Sequence, residues 1–493
     1  MICSLTRAAA AVVQGRIDLP KGNAATLHSL AFHSLDRPSI AEIGVLAKQW
    51  NGQPDLPPGW ALHLPQEAID EGVVSEQGQG TALALYSRLR ASGSADWGGL
   101  ESFVEAWDDF KAQTGSMDFQ DLLDLALLEC PTAPGDPVCF VTDETQDFTP
   151  VAHQLADQWG AAATHYVVAG DGAQTLYQWA GADWRSMLEP LPEGHERVLS
   201  RSYRLPVEVH RYAEEWLSRH SPPMCDNRVY RPREAEGSVR HVNTDWRDGD
   251  GLAGIVASLL EGETGMENSP DPTVMVLTTC AYMLEPTIAA LRNLGLAYHN
   301  PYRRANGRWN PLREREGAVS TLHRLRMWLS DVWSDDGAVA WLEMLPAKTC
   351  WRVPKTTALE SLEGRRGLTI RDLAPLLQDS ALNAQAGQDG AWLIENVPLK
   401  YRGPLAYAYR LWQHDPASLG TPPRVVVGTI HSVKGGEASA VVLCPDLSPA
   451  GQAERGTEEG RDASIRLHYV GVTRASESVT ICAPASAKAS VYN

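Results

Sequence analysis

The chain has 493 residues, of which 43% are hydrophobic and 21% charged, and its 61 acidic against 43 basic side chains give a formal net charge of −18. That length suggests three or four domains with ample chain to bury cores, and the composition is that of an ordinary globular protein, which excludes fibrous and low-complexity classes. The acidic balance argues against a protein that coats nucleic acid by bulk attraction, but leaves room for a partner surface with a local basic and aromatic track.

In chain order, residues 1–33 read as the continuation of an α/β domain. Residues 34–117 break the α/β rhythm with Pro/Gly-rich loops (Gln53 to Gly59, Gly72 to Gly80) and helical stretches at Thr81 to Ala91 and Leu100 to Gln113. Asp118-Phe119-Gln120-Asp121-Leu122-Leu123 returns to the first domain, with Leu122, Leu123, Leu125, Ala126 and Leu128 as a buried helical face. Two short apolar runs follow, Val138 to Val141 and Tyr166 to Ala169, each ending in carboxylates. A second α/β domain begins near Arg197. It contributes a strand at Ser238 to Val242, a helix at Gly251 to Glu261, a buried parallel strand at Thr273 to Thr278 and an amphipathic helix at Leu284 to Leu294. Residues 300–418 form a Trp- and Arg-rich insertion, Arg424 to Gly428 a further strand, and Gly451 to Asp462 a polar loop. Most of the 16 tryptophans are expected in cores. The eight cysteines are scattered without Cys-x-x-Cys and read as reduced thiols in a reducing compartment. No apolar run reaches membrane-spanning length and no signal-peptide pattern is present, so a cytoplasmic location without membrane contact is expected.

The chemistry concentrates at the ends of the two carboxylate-terminated runs. Val141-Thr142-Asp143-Glu144-Thr145-Gln146-Asp147 places adjacent carboxylates where strands of a parallel sheet deliver side chains to a ligand. In nucleotide hydrolysis the first such carboxylate holds Mg²⁺ and the second orients or deprotonates water. One helix-length later, Val168-Ala169-Gly170-Asp171-Gly172-Ala173-Gln174-Thr175-Leu176-Tyr177-Gln178-Trp179 ends in a glutamine and aromatics. By itself Asp-Glu-x-x-Asp is more often a solvated acidic turn than a site.

Further segments follow in order: Leu199-Ser-Arg-Ser-Tyr203-Arg204, Thr429-Ile-His431-Ser-Val-Lys434-Gly-Gly-Glu437 and Tyr469-Val-Gly-Val-Thr473-Arg474-Ala475. Upstream lie Ser4-Leu5-Thr6-Arg7-Ala8-Ala9-Ala10 and Thr26-Leu27-His28-Ser29-Leu30-Ala31. This series resembles the motifs of superfamily 1A DNA helicases, the UvrD/Rep/PcrA family: Ia and Ib early, then II, III, IV, V and VI. The likeness runs from residue 1 to about residue 485, and its motif Ia and V forms look most like phage-encoded or divergent relatives. It implies two RecA-like P-loop NTPase domains with parallel sheets, each carrying a mainly helical insertion. Domain 1A would be residues 1–33 and 118–196, insertion 1B 34–117, domain 2A 197–299 and 419–493, and insertion 2B 300–418.

The resemblance also implies roles. Asp143 would be the Mg²⁺ carboxylate and Glu144 the base for water. Gln174 would touch that water and the γ-phosphate of ATP, while Arg204 and Arg474 would bind the γ-phosphate with planar forks. Tyr203 would stack on adenine and Glu437 would accept from a ribose hydroxyl. Thr26, His28, Trp179, Thr429 and His431 would contact single-stranded DNA. Leu5 and Ala180 depart from the family's usual stacking Phe and arginine, which points to a weaker grip in domain 1.

One part is missing from the pattern. The family's Gly-rich loop ending in Gly-Lys-Thr, whose backbone cradles the phosphates, should precede motif Ia, yet motif Ia begins almost at Met1 and no Gly-x-x-x-x-Gly-Lys-Ser/Thr occurs anywhere. The glutamine motif that reads adenine is absent as well. The expectation is an ATP-dependent 3′-to-5′ DNA helicase and single-strand translocase of the UvrD type, N-terminally truncated and unable to hydrolyse ATP alone. An upstream polypeptide would supply the loop. Its partners would be single-stranded DNA and single/double-strand junctions, its working form a monomer, and its context DNA repair or replication. The alternative is a non-hydrolysing DNA-binding or accessory protein on a helicase-derived scaffold. A helicase–nuclease is disfavoured because the chain ends shortly after motif VI.

Overall fold

A computed structural model describes residues 1–4, 10, 14, 17, 19–20, 22–41, 43–57, 60–62, 82–94, 96–188, 193–221, 229–262, 271–303, 309–312, 320–333, 337–365, 367–414, 416, 421–486 and 491. Leu5 to Ala9 of motif Ia, the Gly72 to Gly80 loop and residues 304–308 and 313–319 of the Trp- and Arg-rich segment lie outside these residues. The chain divides into two compact units. The first is Met1–Val242 with Thr278–Cys280 and Thr429–Asn493, and the second is Asn243–Leu277 with Ala281–Gly428.

The first unit opens with a parallel sheet in which β1 (Ile2–Ser4) lies between β2 (Ala24–Thr26) and β3 (Cys139–Asp143), with β4 (His165–Val168) outside β3. Its register sets Ser4 opposite both Thr26 and Asp143, so three polar residues share one carboxyl edge. Leu27, Leu30, Leu122, Leu123, Phe140, Leu155 and Trp159 fill the core between strands and helices. The helix Phe119–Glu129 starts at an Asp118/Asp121 capping box and buries Leu122, Leu123 and Ala126. Leu128, expected on that face, is 82% exposed, because two residues beyond the buried Ala126 the helix has rotated its side chain by about 200°, to the opposite side.

The helices Ile43–Asn51, Ala82–Ala91 and Glu101–Thr114 pack around Trp50, Tyr86, Phe103 and Trp107. The buried Lys111 reaches Asp121 at 2.8 Å and Asp118 at 3.0 Å, tying this group of helices to the start of the Phe119–Glu129 helix. Beyond it, the helix Val207–Leu217 leads to β5 (Ser238–Val242).

In the second unit β6 (Val274–Thr278) is buried at every position, as its unbroken apolar run requires of an interior parallel strand. Val274 donates to the Arg424 carbonyl at the start of β10 (Val425–Thr429), and β10 pairs in parallel with β7 (Tyr298–His299). The short antiparallel pair β8 (Val332–Trp333) and β9 (Leu368–Thr369) belongs to the Trp-rich segment. There Trp328 packs edge-on against Trp341 and stacks on Trp392, so these indoles form a core as expected.

The chain returns to the first unit with β11 (Ala438–Leu443) and β12 (Ala475–Cys482), and β12 lies parallel between β11 and β5. The segment read as a polar loop, Gly451 to Asp462, is instead largely helical. Ser448 caps a helix at Pro449–Glu454 and Thr457 caps another at Glu458–Val472. The capping side chains satisfy the first amides of each helix, which outweighs the polar, Gly-containing composition. The described cysteines Cys3, Cys130, Cys139, Cys280, Cys350, Cys444 and Cys482 are all free thiols, and among the described residues no helix is long and apolar enough to cross a membrane.

Candidate functional site

The two strand ends flagged by the sequence form one structure. Glu144 takes up a left-handed backbone (φ 57°), uncommon for a side-chain-bearing residue, and the chain then closes a single turn at Thr145–Asp147. The neighbouring strand end holds that turn. The Ala169 carbonyl accepts from the Thr145 amide (3.1 Å) and hydroxyl (2.7 Å), and the Asp171 amide donates to Gln146 Oε1 (3.0 Å). Leu176 N donates to Asp147 Oδ1 at 3.0 Å. Gly170 is needed at this seam, because a Cβ there would lie 2.3 Å from Met187 Sδ and 2.8 Å from both Gln146 Oε1 and Thr145 Oγ1.

Charge is unevenly shared between the paired carboxylates. Asp143 is pushed up by burial and by the adjacent Glu144. Burial pushes Glu144 the same way, but the charges of Lys434 and Arg474 and a 2.6 Å hydrogen bond from Gln146 Nε2 outweigh it and hold Glu144 low. Lys434 is itself buried. It pairs with Asp147, lies 3.3 Å from Glu144 Oε2 and donates to the Gln174 carbonyl at 2.8 Å. Burial lowers the Lys434 ammonium to about 8, against the pull of Glu144.

Gln174 sits beside this cluster, its amide anchored on Asp171 (2.9 Å) and its Oε1 accepting from Arg474 at 3.1 Å. Arg474 is 1% exposed, and it also donates to the carbonyls of Val470 (2.9 Å) and Gly436 (3.3 Å) and to Thr473 Oγ1 (3.2 Å). Arg204 donates to Glu437 Oε2 at 2.9 Å and to the carbonyl of Thr473 at 3.3 Å, next to Arg474. Tyr203 is 83% exposed, with Arg201 over one face of its ring. Asp143, Glu144, Gln174, Arg204, Glu437 and Arg474 are thus linked through direct contacts and shared neighbours.

The residues assigned to a DNA track fall into two groups. Tyr177 packs against both Trp179 (6.2 Å between ring centroids) and His431 (6.1 Å), which makes a short aromatic row. Thr429 closes the turn before His431 by accepting from Ser432 N. Thr26 and His28 are placed elsewhere in the unit. Thr26 caps the helix Leu27–Ser34, and His28 packs edge-on against Phe119 with its imidazole lowered to about 4 by burial.

Several site residues escaped the sequence reading. Lys434 lay inside a quoted motif without a role, because an isolated lysine gives no sign of carboxylates that join it only after folding. Asp147 and Gln146, also inside a quoted motif, hold the Thr145–Asp147 turn through Leu176, Asp171 and Glu144. Arg466, eight residues before Arg474, is buried at 2% exposure against the Thr175–Gln178 segment.

Asp143, destabilised by Glu144, would be relieved by an added cation. Among the described residues no group of three or more His, Cys, Asp or Glu is disposed to hold a metal. A Mg²⁺ therefore fits only as an ion carried largely by water and phosphate oxygens. Parallel sheets delivering acidic strand ends, with arginines converging on them, define an α/β architecture consistent with two RecA-like domains. The chain is similar to the ATP-dependent DNA helicase UvrD2 of Mycobacterium bovis (strain ATCC BAA-935 / AF2122/97) and of two Mycobacterium tuberculosis strains (CDC 1551 / Oshkosh and ATCC 25618 / H37Rv). Each is 28% identical over 380 residues, which covers 73% of this chain and 50% of the relative. The chain thus spans about half the length of the curated relatives it matches, a distant likeness that supports a UvrD-like helicase. No protein-family profile matches it.

Proposed function

We propose that the chain is the motor portion of an ATP-driven 3′-to-5′ single-stranded DNA translocase and helicase of the UvrD type, active when a phosphate-binding loop is supplied. The observation that carries this reading is the convergence of Glu144, Gln174, Lys434 and Arg474 from separate motifs on one turn, with the Tyr177–Trp179–His431 row on the same loop system. Glu144, kept ionised, takes a proton from the attacking water. Gln174 orients that water, and Arg474 and Arg204 meet the charge developing on the transferred phosphoryl group; Asp143 would hold a Mg²⁺, which would supply charge neutralisation at the phosphate oxygens. Tyr203 offers its exposed ring to adenine and Glu437 accepts from ribose.

The division into 1A, 1B, 2A and 2B at the stated boundaries belongs to this reading, supported by the separate helical insertion around Trp107. So does a missing strand. β4 is the outer strand of its sheet among the described residues and leaves Val167 and Val168 48% and 40% exposed, unusual for a parallel sheet. A strand bearing the phosphate loop, from an upstream segment, would cover it. A monomer acting in the cytoplasm on single strands and junctions, in repair or replication, completes the proposal.

The second reading, a non-hydrolysing DNA-binding protein, is favoured by the absence of Gly-x-x-x-x-Gly-Lys from all 493 residues. DNA-stimulated ATP hydrolysis separates them. Residues 1–493 alone should show none, and an added upstream segment carrying the loop should restore it. Failure of that restoration would favour the second reading, while hydrolysis by the chain alone, abolished by Glu144→Gln, would overturn the need for the loop.

A further inference from the structure

The helix Glu458–Val472 buries an arginine that makes no direct ion pair among the described residues. Arg466, 2% exposed, donates to the carbonyl of Thr175 at 3.3 Å, to Gln178 Oε1 and to His220 Nε2. A guanidinium only donates, so His220 must accept at Nε2 as a neutral ring with its proton on Nδ1. That nitrogen lies 3.5 Å from Asp462 Oδ2, one helical turn before Arg466, and Asp462 is fixed in turn by the Ser221 amide at 3.0 Å. Asp462 thereby sets the tautomer that gives Arg466 its acceptor. Asp462 also favours the charged form of Arg466 through space, more than Glu459 does, while burial and Arg185 oppose it.

Burying a cation this way costs desolvation that the attraction of Asp462 and Glu459 offsets only in part, so Arg466 stays below the ordinary guanidinium range. What arginine supplies is geometry, since its rigid fork can grip two points of one loop and the histidine behind it at once. The loop is also held at Gln174, by Arg474 on its amide oxygen and Lys434 on its carbonyl. It is therefore pinned at 174, 175 and 178, between the nucleotide-facing glutamine and Trp179.

We infer that Arg466 is a positioning residue, held by the Asp462–His220 pair, that fixes the loop carrying Trp179. This rests on the DNA-track reading only for what the loop is positioned to do. Hydrogen exchange of residues 172–181 in the full chain tests it, alongside melting temperature and oligo-dT binding. Arg466→Met and His220→Leu should raise exchange at 175–180 about tenfold, because each removes a buried hydrogen bond to a charged group, while the helix Glu458–Val472 keeps its protection. His220→Gln, whose amide oxygen replaces the Nε2 acceptor, should stay near the parent chain, a rescue that mere packing would not produce. Should Arg466→Met fail to fold, the His220 pair decides alone. Unchanged exchange at 175–180, or equal exchange in His220→Leu and His220→Gln, overturns the inference. Faster exchange with unchanged oligo-dT affinity upholds it and overturns the DNA-track reading instead.

Discussion

Lys434 Nζ stands 3.3 Å from Glu144 Oε2 and pairs with Asp147, 287 residues away in the chain, so one buried ammonium holds both the proposed base and the turn that carries it. Removing it leaves Asp147 charged at 1% side-chain exposure. Lys434→Met should therefore cost about 3–5 kcal/mol of stability, the usual effect of stranding one partner of a buried pair. Lys434→Met with Asp147→Leu should recover much of that loss. Chemical denaturation of the parent chain and both variants checks it, and equal losses would show that the pair is not what matters.

Arg474 serves the fold as well as the site, through its bonds to Val470 and Gly436. Arg474→Ala therefore confounds the two roles, and Arg474→Lys is the better probe. With the phosphate loop supplied, it should lower kcat by about 10³-fold, the order an arginine adds to phosphoryl transfer, with little change in oligo-dT affinity. An unchanged kcat would remove Arg474 from the site.

Trp179 is half-buried beside Tyr177, which suits a stacking residue better than a core one. Trp179→Ala should weaken oligo-dT binding by about 1–3 kcal/mol with little sequence preference. Unchanged affinity would sink the stacking role, and a large fall in melting temperature would mark Trp179 as core.

Gly170→Ala drives a methyl group into Gln146 Oε1 and Thr145 Oγ1. The variant should lose about 1–3 kcal/mol of stability through overpacking, and with the loop supplied its kcat should fall because Gln146 bonds Glu144 directly. Wild-type stability and kcat together would show that the seam can relax.

His468 is buried against Trp216 at 4.3 Å, and burial lowers its imidazole to about 3. An unfolded histidine titrates near 6.5, so between about 6.5 and 3 the unfolded chain binds a proton that the folded one refuses. The stability associated with neutral His468 is complete above pH 6.5 and erodes as pH falls toward 3. His468→Gln should flatten that part of the stability profile, as denaturation at pH 7 and pH 5 would reveal. An unaltered slope would mean that other groups set it.

What the sequence by itself determined is what depends on neighbours along the chain. Apolar runs ending in Asp143 and Asp171 announced parallel strands with acidic ends, and motif order picked out segments whose side chains fold together around Glu144. Periodicity failed where a face is narrower than its apolar residues suggest, as at Leu128, and composition failed where Ser448 and Thr457 cap helices in a segment read as loop. Only the tertiary structure decided the electrostatics. Whether Glu144 is ionised depends on Lys434 and Arg474, and whether Arg466 is a surface charge or a buried clamp depends on Thr175, Gln178 and His220. Those contacts join segments hundreds of residues apart, where burial and Coulomb interactions act through space and leave no periodic trace along the chain.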